Sequence, residues 1–373
     1  MKKPESTAFA DIPRTAKGHF VLNFYAAVYY LINHIRRLSQ VGGENLEKTF
    51  EKYPFLAGYL DEIRVYLPEN VTWKDALGWW EQEITAWEKG HAEHLTESDG
   101  VFFNSDGLES PLRFDLPLLS LVEQEDINFQ NRIALMVVGL VEEDSRFGTL
   151  FAQLQEPLVQ RRPCLELIGQ IMMQKGVFSG TDPWSVCRPL LSAGLIEAPN
   201  RDAARSEWIL RVPPILWDVI RGEISSQPAP WCQYHPPDTF PTIQSLIFPK
   251  KFIAQLEQVP AVVMSGKAEA IVLRGMQGSE RLQVIGSIAR ALGRGVIEVD
   301  GAGFSDGGAN GKASQSNINT ALLGPLCSMT NSLPVMTVDM GPGETTELPR
   351  LTGYQGPLGI IMGFEGGLAW PGG

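Results

Sequence analysis

The chain has 373 residues, 44% of them hydrophobic and 20% charged, with 31 Lys and Arg against 43 Asp and Glu. That length and balance describe a globular protein of two or three domains, and a net charge of -12 disfavours a broad nucleic-acid or anionic-membrane surface. Four widely spaced cysteines, Cys164, Cys187, Cys232 and Cys327, contain no C-x-x-C pair and read as buried reduced thiols.

Met1-Lys2-Lys3 leads into polar residues rather than the apolar core of a targeting segment. The most apolar early run, Phe20–Ile32, is about thirteen residues long and contains Asn23, too short to cross a bilayer. A cytoplasmic location without a membrane partner is expected. Residues 1–17 read as a loose arm. Gly18–Leu38 reads as an aromatic-rich helix (Phe20, Phe24, Tyr25, Tyr29, Tyr30) that ends in Arg36-Arg37, and Glu44–Leu67 as a second helical segment. Thr72-Trp73-Lys74-Asp75 has the form of a capping box and opens a third helix, to about Lys89. Trp73, Trp80 and Trp87 recur every seven residues beside Trp79, a stripe that predicts packing. His91 and His94 share a helical face, but no third ligand accompanies them and no metal site is expected. These elements make a helical N-terminal domain, 1–110, and residues 98–111, with Gly, Ser, Asp and Pro, look like a linker.

The next segment, 111–240, contains helical patterns at Asn131–Val141, Asp144–Gln155 and Pro163–Gln174. Asp182-Pro183-Trp184 has the cap-then-proline start of a further helix that ends at Gly194. Two strand-like runs, Leu195–Ala198 and Glu207–Val212, flank a polar loop, Pro199–Ser206. Helices leading into such a hairpin predict a winged-helix-like domain. Its would-be recognition helix, Pro183–Ala193, carries one cation, Arg188, with Lys175, Arg161, Arg162, Arg201 and Arg205 near in sequence. A DNA reader needs a clear basic face, so packing or protein binding is favoured over nucleic acid. Gln227–Pro241, with five prolines, reads as a linker.

The last segment, 241–373, is organised around Ala270–Gly301: a short apolar strand, a glycine turn, a helix closed by Gly293 and a second strand, Val296–Val299. This is a βαβ unit, and it predicts a parallel αβα sandwich. In the turn, Gly275 and Gly278 hold two glycine positions of a phosphate-binding loop, followed by Ser279. Glu280 then stands where a further glycine belongs, Arg281 where the lysine belongs and Leu282 where the magnesium-binding hydroxyl belongs. At ~4 Å and an effective dielectric of ~20, the Glu280 carboxylate would repel a phosphate by roughly 4 kcal/mol, partly offset by Arg281. Arg281 is forked and bulkier than lysine, and Leu282 cannot ligate magnesium. A rival glycine loop, Gly307–Ala313, is one residue short in spacing and lacks the hydroxyl. Asn317–Met329 reads as a helix. Leu333–Val338 is an apolar strand ending at Asp339, the candidate magnesium ligand, with Met340 where a water-polarising glutamate would stand. Leu358–Gly363 is one more strand. A further strand, arginine fingers and a helical lid find no room before Gly373, so an incomplete, truncated module is expected.

With these pieces in order, the chain resembles the AAA+ ATPases encoded with bacterial extracellular contractile injection systems, which are phage-tail-like particles. The matching residues are Val141-Glu142-Glu143-Asp144-Ser145-Arg146-Phe147-Gly148, Leu150-Phe151, Arg161-Arg162-Pro163, Arg188–Glu197 and the βαβ unit ending in Val299-Asp300-Gly301. The resemblance covers roughly residues 50–373. It implies a helical N-terminal region, a winged-helix-like domain and AAA+ modules, with a role in particle assembly or remodelling; some members carry a degenerate first ATPase module before a complete second one. By position it carries the phosphate-loop role to Gly275, Gly278, Ser279, Glu280, Arg281 and Leu282, and the metal role to Asp339. Weak or absent binding of ATP and Mg is expected, with protein partners (injection-system components or ATPase subunits) and homo-oligomerisation left open. The leading expectation is a scaffold that does not hydrolyse ATP. The alternatives are an active remodelling ATPase using Arg281 and Asp339, and a winged-helix nucleic-acid regulator.

Overall fold

The computed structural model describes residues 8–41, 46–73, 75–98, 116–125, 127–173, 182–276, 280–300, 312–338 and 340–369. Its contacts divide the chain into two compact units, Met1–Gly222 and Glu223–Gly373, where the sequence suggested three segments with borders at 110 and 240. Among the described residues no helix is long and apolar enough to cross a membrane.

The first unit is helical: α1 (Ala16–Val41), α2 (Leu46–Lys52), α3 (Pro54–Arg64), α4 (Ala76–Ser98), α5 (Pro117–Glu125), α6 (Phe129–Glu143), α7 (Ser145–Leu154), α8 (Leu165–Met172), α9 (Pro183–Ser192) and α10 (Pro214–Ile220). Leu22, Ala26, Ala27, Val28, Leu31 and Ile32 of α1 are fully buried, and with buried His19, Asn23 and His34 the helix is covered nearly all round, as a central core helix is. It packs along α6, which joins residues from both sides of the 110 border into one core. Three buried polar side chains bind the core at one point. Glu88 of α4 accepts from Arg132 of α6 at 2.5 Å and pairs with His19 of α1 at 2.7 Å. Burial alone would raise the Glu88 carboxyl, but the Arg132 charge and the His19 bond outweigh it and hold it at about 2.

Two sequence expectations change here for local reasons. The single helix over Glu44–Leu67 is broken at Tyr53, because Pro54 has no N–H to give and takes the first position of a new helix, α3. The capping box at Thr72 does not form. The Thr72 hydroxyl donates to the Asp75 carboxylate and α4 starts later, at Ala76. The tryptophan stripe packs as expected: Trp80 and Trp87 are fully buried, and Trp73 stacks on Tyr29 at 4.9 Å. His91 is stacked against Trp87, which is itself stacked on His19 (5.8 and 5.6 Å), so it is part of a buried ring ladder. After α9, the two strand-like runs meet only through the antiparallel bridge Glu197–Arg211, and Ile209 bridges to Cys164.

The second unit is a sheet of β1 (Cys232–His235), β2 (Ala270–Arg274), β3 (Gly295–Asp300), β4 (Ser332–Val338) and β6 (Leu358–Met362), in the order β1-β3-β4-β6-β2. All neighbours are parallel except β1, which runs antiparallel to β3 with Cys232 opposite Val299. The residues read as a proline-rich linker therefore include a strand. Its four residues fit between Pro230 and Pro236, and as an edge strand it needs only one side of its backbone paired. Two short strands, β5 (Thr345–Glu347) and β7 (Gly367–Ala369), pair by themselves. Four helices complete the unit: α11 (Lys250–Leu256), α12 (Val259–Met264), α13 (Arg281–Ala291) and α14 (Lys312–Met329). The chain crosses outward from β2 to β3 and returns through β4 to β6. Right-handed crossovers in opposite directions put α13 and α14 on opposite faces, and β4 is buried on both of its faces accordingly. Ile285 and Ala289 of α13 pack on Val296, Leu333, Val335 and Ile361. Gly293, with φ of 67°, ends α13 as its sequence position predicts.

Candidate functional site

The candidate site lies where β2 turns into α13, at the carboxyl ends of the parallel strands, the usual place for ligands in an open α/β sheet. The β2 ladder continues one residue beyond the strand: the Gly275 N–H donates to the Met362 carbonyl at 3.1 Å. Arg274 extends across the same end and donates to the carbonyls of Phe364 and Gly366 at 3.3 and 3.1 Å. Gln277, Gly278 and Ser279 lie outside the described residues, as do Asp339 and the rival loop Gly307–Gly311.

The described members of the turn do not form a phosphate cradle. Arg281, expected to stand in for the loop lysine, points inward and is only 8% exposed. Its Nη1 donates to the Met362 carbonyl at 2.7 Å and to the Gly275 carbonyl at 3.2 Å. Both bonds come from the one nitrogen, Nη1, whose two hydrogens serve the two carbonyls. The charge is thereby committed to the junction of β2, β6 and α13. Leu282, at the magnesium-hydroxyl position, packs as a partly buried side chain against the core beneath α13. Glu280 is exposed and occupies the cap position of α13, yet its side chain makes no capping bond. Among the described residues of the turn, none supplies a hydroxyl for the metal, Arg281 is turned away from solvent and Glu280 leaves a carboxylate exposed, an arrangement that does not fit Mg-ATP.

A cleft that the sequence did not reveal runs along the flank of α13. It has a volume of about 660 Å³ and is lined by His235, Asp238, Phe240, Leu282, Gln283 and Arg290. Its walls come from the supposed linker. Phe240 lies directly on Gly286, where a Cβ would come within 2.1 Å of the ring. Arg290 donates to the Phe240 carbonyl, which fixes the segment against the helix. His235 pairs with Glu298 of β3 at 3.0 Å. The one available signal was Gly286 in the middle of a helical pattern, a position where something must approach closely. Nothing in the sequence says that the approaching group is Phe240, 46 residues earlier.

The acidic corner Glu142-Glu143-Asp144, one of the stretches that carry the sequence resemblance, is fully engaged. Glu142 accepts from Arg162 at 2.6 Å, and Glu143 accepts from the Trp217 indole at 2.7 Å and pairs with Arg221 at 3.3 Å. Asp144 caps α7 through the Arg146 N–H, is forked by the Arg146 guanidinium and accepts from the Tyr59 hydroxyl at 3.3 Å. Burial, helped by the Asp144 charge, pushes the Tyr59 hydroxyl up to about 12. Each acid thus holds a different element against the α6–α7 corner, which is a structural role.

Among the described residues no group of three His, Cys, Asp or Glu side chains could hold a metal ion. The four cysteines are free and buried. Comparison with protein-family models, with curated proteins and with solved structures found no match.

Proposed function

We propose that this chain is an AAA+-like scaffold, acting in the assembly or remodelling of a contractile injection particle without hydrolysing ATP itself. The observation that carries this reading is the inward Arg281. The Arg281 Nη1 is engaged by one buried and one part-buried carbonyl, and turning the side chain out to a phosphate at the mouth of the turn would break those bonds. The strand order supports the ATPase-like ancestry. One strand, β6, separates the strand leading to the glycine turn from the strand leading to Asp339, so their carboxyl ends lie about 10 Å apart, room for a phosphate chain and its metal. Among the residues that carry the resemblance, Glu142 to Arg146 hold helices together, so they argue for a shared scaffold rather than shared chemistry.

Calorimetric titration of the full chain with Mg-ATP, and with ATP plus EDTA, tests the proposal. A flat trace is expected. Saturable binding tighter than ~100 μM, equivalent to about 5.5 kcal/mol, would show that the turn still cradles phosphates, and phosphate release that is lost on Asp339→Ala would overturn the proposal. A companion titration on the E280G/R281K/L282T variant asks whether the loop backbone still has the shape of a cradle.

A further inference from the structure

Arg188, Arg201 and Arg205 are exposed and have no carboxylate partner among the described residues. The fold brings them to one surface of the first unit. Trp184 and Arg188 lie one turn apart on α9 and so share a face. The loop between the two bridged runs folds over that face. The Arg205 guanidinium stands 4.5 Å from the Trp184 ring and 5.8 Å from the Trp208 ring. Arg201 stands 5.7 Å from the Trp208 ring on the same loop. The two indoles meet edge to face at 6.0 Å. All three arginines are exposed and both tryptophans are half-buried. The loop is itself stiff: the Trp208 indole donates to Ala203, and the Asn200 side chain bonds both Glu207 and Ile209 across the loop.

We propose that this tryptophan–arginine surface docks a short acidic segment of a partner protein, carrying carboxylates beside an apolar side chain. A guanidinium stacked on an indole keeps its N–H edge outward and already oriented, so little freedom is lost when it grips a carboxylate in the bidentate manner. Tryptophan and arginine are also the residue types that dominate binding energy at protein interfaces. The surface selects a peptide over a nucleic acid because Asp182, Asp202 and Glu207 are exposed among the arginines. These carboxylates interrupt the field that a continuous phosphate backbone needs, whereas a peptide can place its few charges between them. The inference rests on the scaffold reading, to which it adds a partner chemistry. The two fail separately, since turnover of Mg-ATP would sink the scaffold and leave this surface untouched.

The test is panning of a displayed library of random dodecapeptides on the full chain, with depletion on an R188A/R201A/R205A variant. Circular dichroism first confirms that the variant keeps the parent's spectrum and melting point. Enriched peptides are expected to carry net negative charge and at least one apolar residue. As synthetic fluorescein conjugates they should bind the parent at least tenfold more tightly than the triple variant, with R201K/R205K falling between the two. Enrichment without an acidic bias, equal binding to parent and triple variant, or tighter binding of a single-stranded 20-mer DNA than of any enriched peptide would each overturn the proposal. If the triple variant does not fold, R201K/R205K against the parent decides alone, because exposed Arg-to-Lys changes leave the core intact.

Discussion

Replacing Arg281 with alanine isolates the interaction that closes the turn at the head of α13. The side chain is 92% buried by its 8% exposure, and it makes two charge-assisted bonds, at 2.7 and 3.2 Å, to the Met362 and Gly275 carbonyls. Bonds of this kind contribute roughly 1.5–3 kcal/mol each, and the orphaned carbonyls add their own desolvation cost. Part of that is offset because the variant no longer buries a guanidinium whose Nε has no partner. The Met362 carbonyl also keeps its bond from the Gly275 N–H. The balance is a loss of about 2–4 kcal/mol, or about 4–16 °C in the midpoint of a unit of this size. Urea and thermal unfolding, followed by near-ultraviolet circular dichroism, read it directly. Arg281→Met should lose less than Arg281→Ala, because it refills the space without a charge. A loss below about 0.5 kcal/mol in Arg281→Ala, within the range of an ordinary surface change, would mean that Arg281 is free to face solvent. The argument against phosphate binding would then fall.

Gly286→Ala should cost about 1–3 kcal/mol, since the new methyl meets the Phe240 ring at 2.1 Å. Adding Phe240→Leu should cost less in that background than in the parent, a coupling that a double-mutant cycle would detect. His34 gives a pH test in the first unit. Burial, aided by the Arg37 charge, pushes this imidazole down to about 4, so it is neutral in the fold and protonates near 6.5 when unfolded. Its contribution is complete above pH 6.5 and is lost as pH falls towards 4, about 3 kcal/mol over that window. His34→Leu should therefore flatten the stability profile between pH 6.5 and 4 relative to the parent; parallel profiles would refute the assignment.

The sequence makes the outline of the second unit legible. Leu333–Val338 and Leu358–Gly363 are continuous apolar runs of strand length, and both are strands buried on two faces. Gly293 was a sound terminator because a residue at positive φ is needed there. β1 was hidden because its pattern is four residues long and sits among prolines, where composition outweighs periodicity. The paired runs around Pro199–Ser206 had the right alternation but meet at one bridge, because a few residues cannot build a longer ladder. The candidate site divides along the same line. The missing hydroxyl at Leu282 can be read from residue identity alone. The direction of Arg281 cannot, since its acceptor at Met362 is 81 residues away and reaches it only through the order of strands in the sheet.

That strand order also sets when the protein can fold. β2 has a single partner among the described strands, β6, and Ala270 pairs with Leu358, 88 residues later. At a synthesis rate of roughly 5–20 residues per second, the apolar AIVLR strand emerges roughly 4–18 s before the strand that will protect it. The α13 helix and the β3–β4 pair can assemble in that interval, but the βα turn cannot close. Its closing bonds, from Gly275 and Arg281 to Met362, come from the same late strand. The head of the sheet therefore stays open until β6 has emerged, and only the small β5–β7 pair, whose β7 follows β6 in the chain, waits longer.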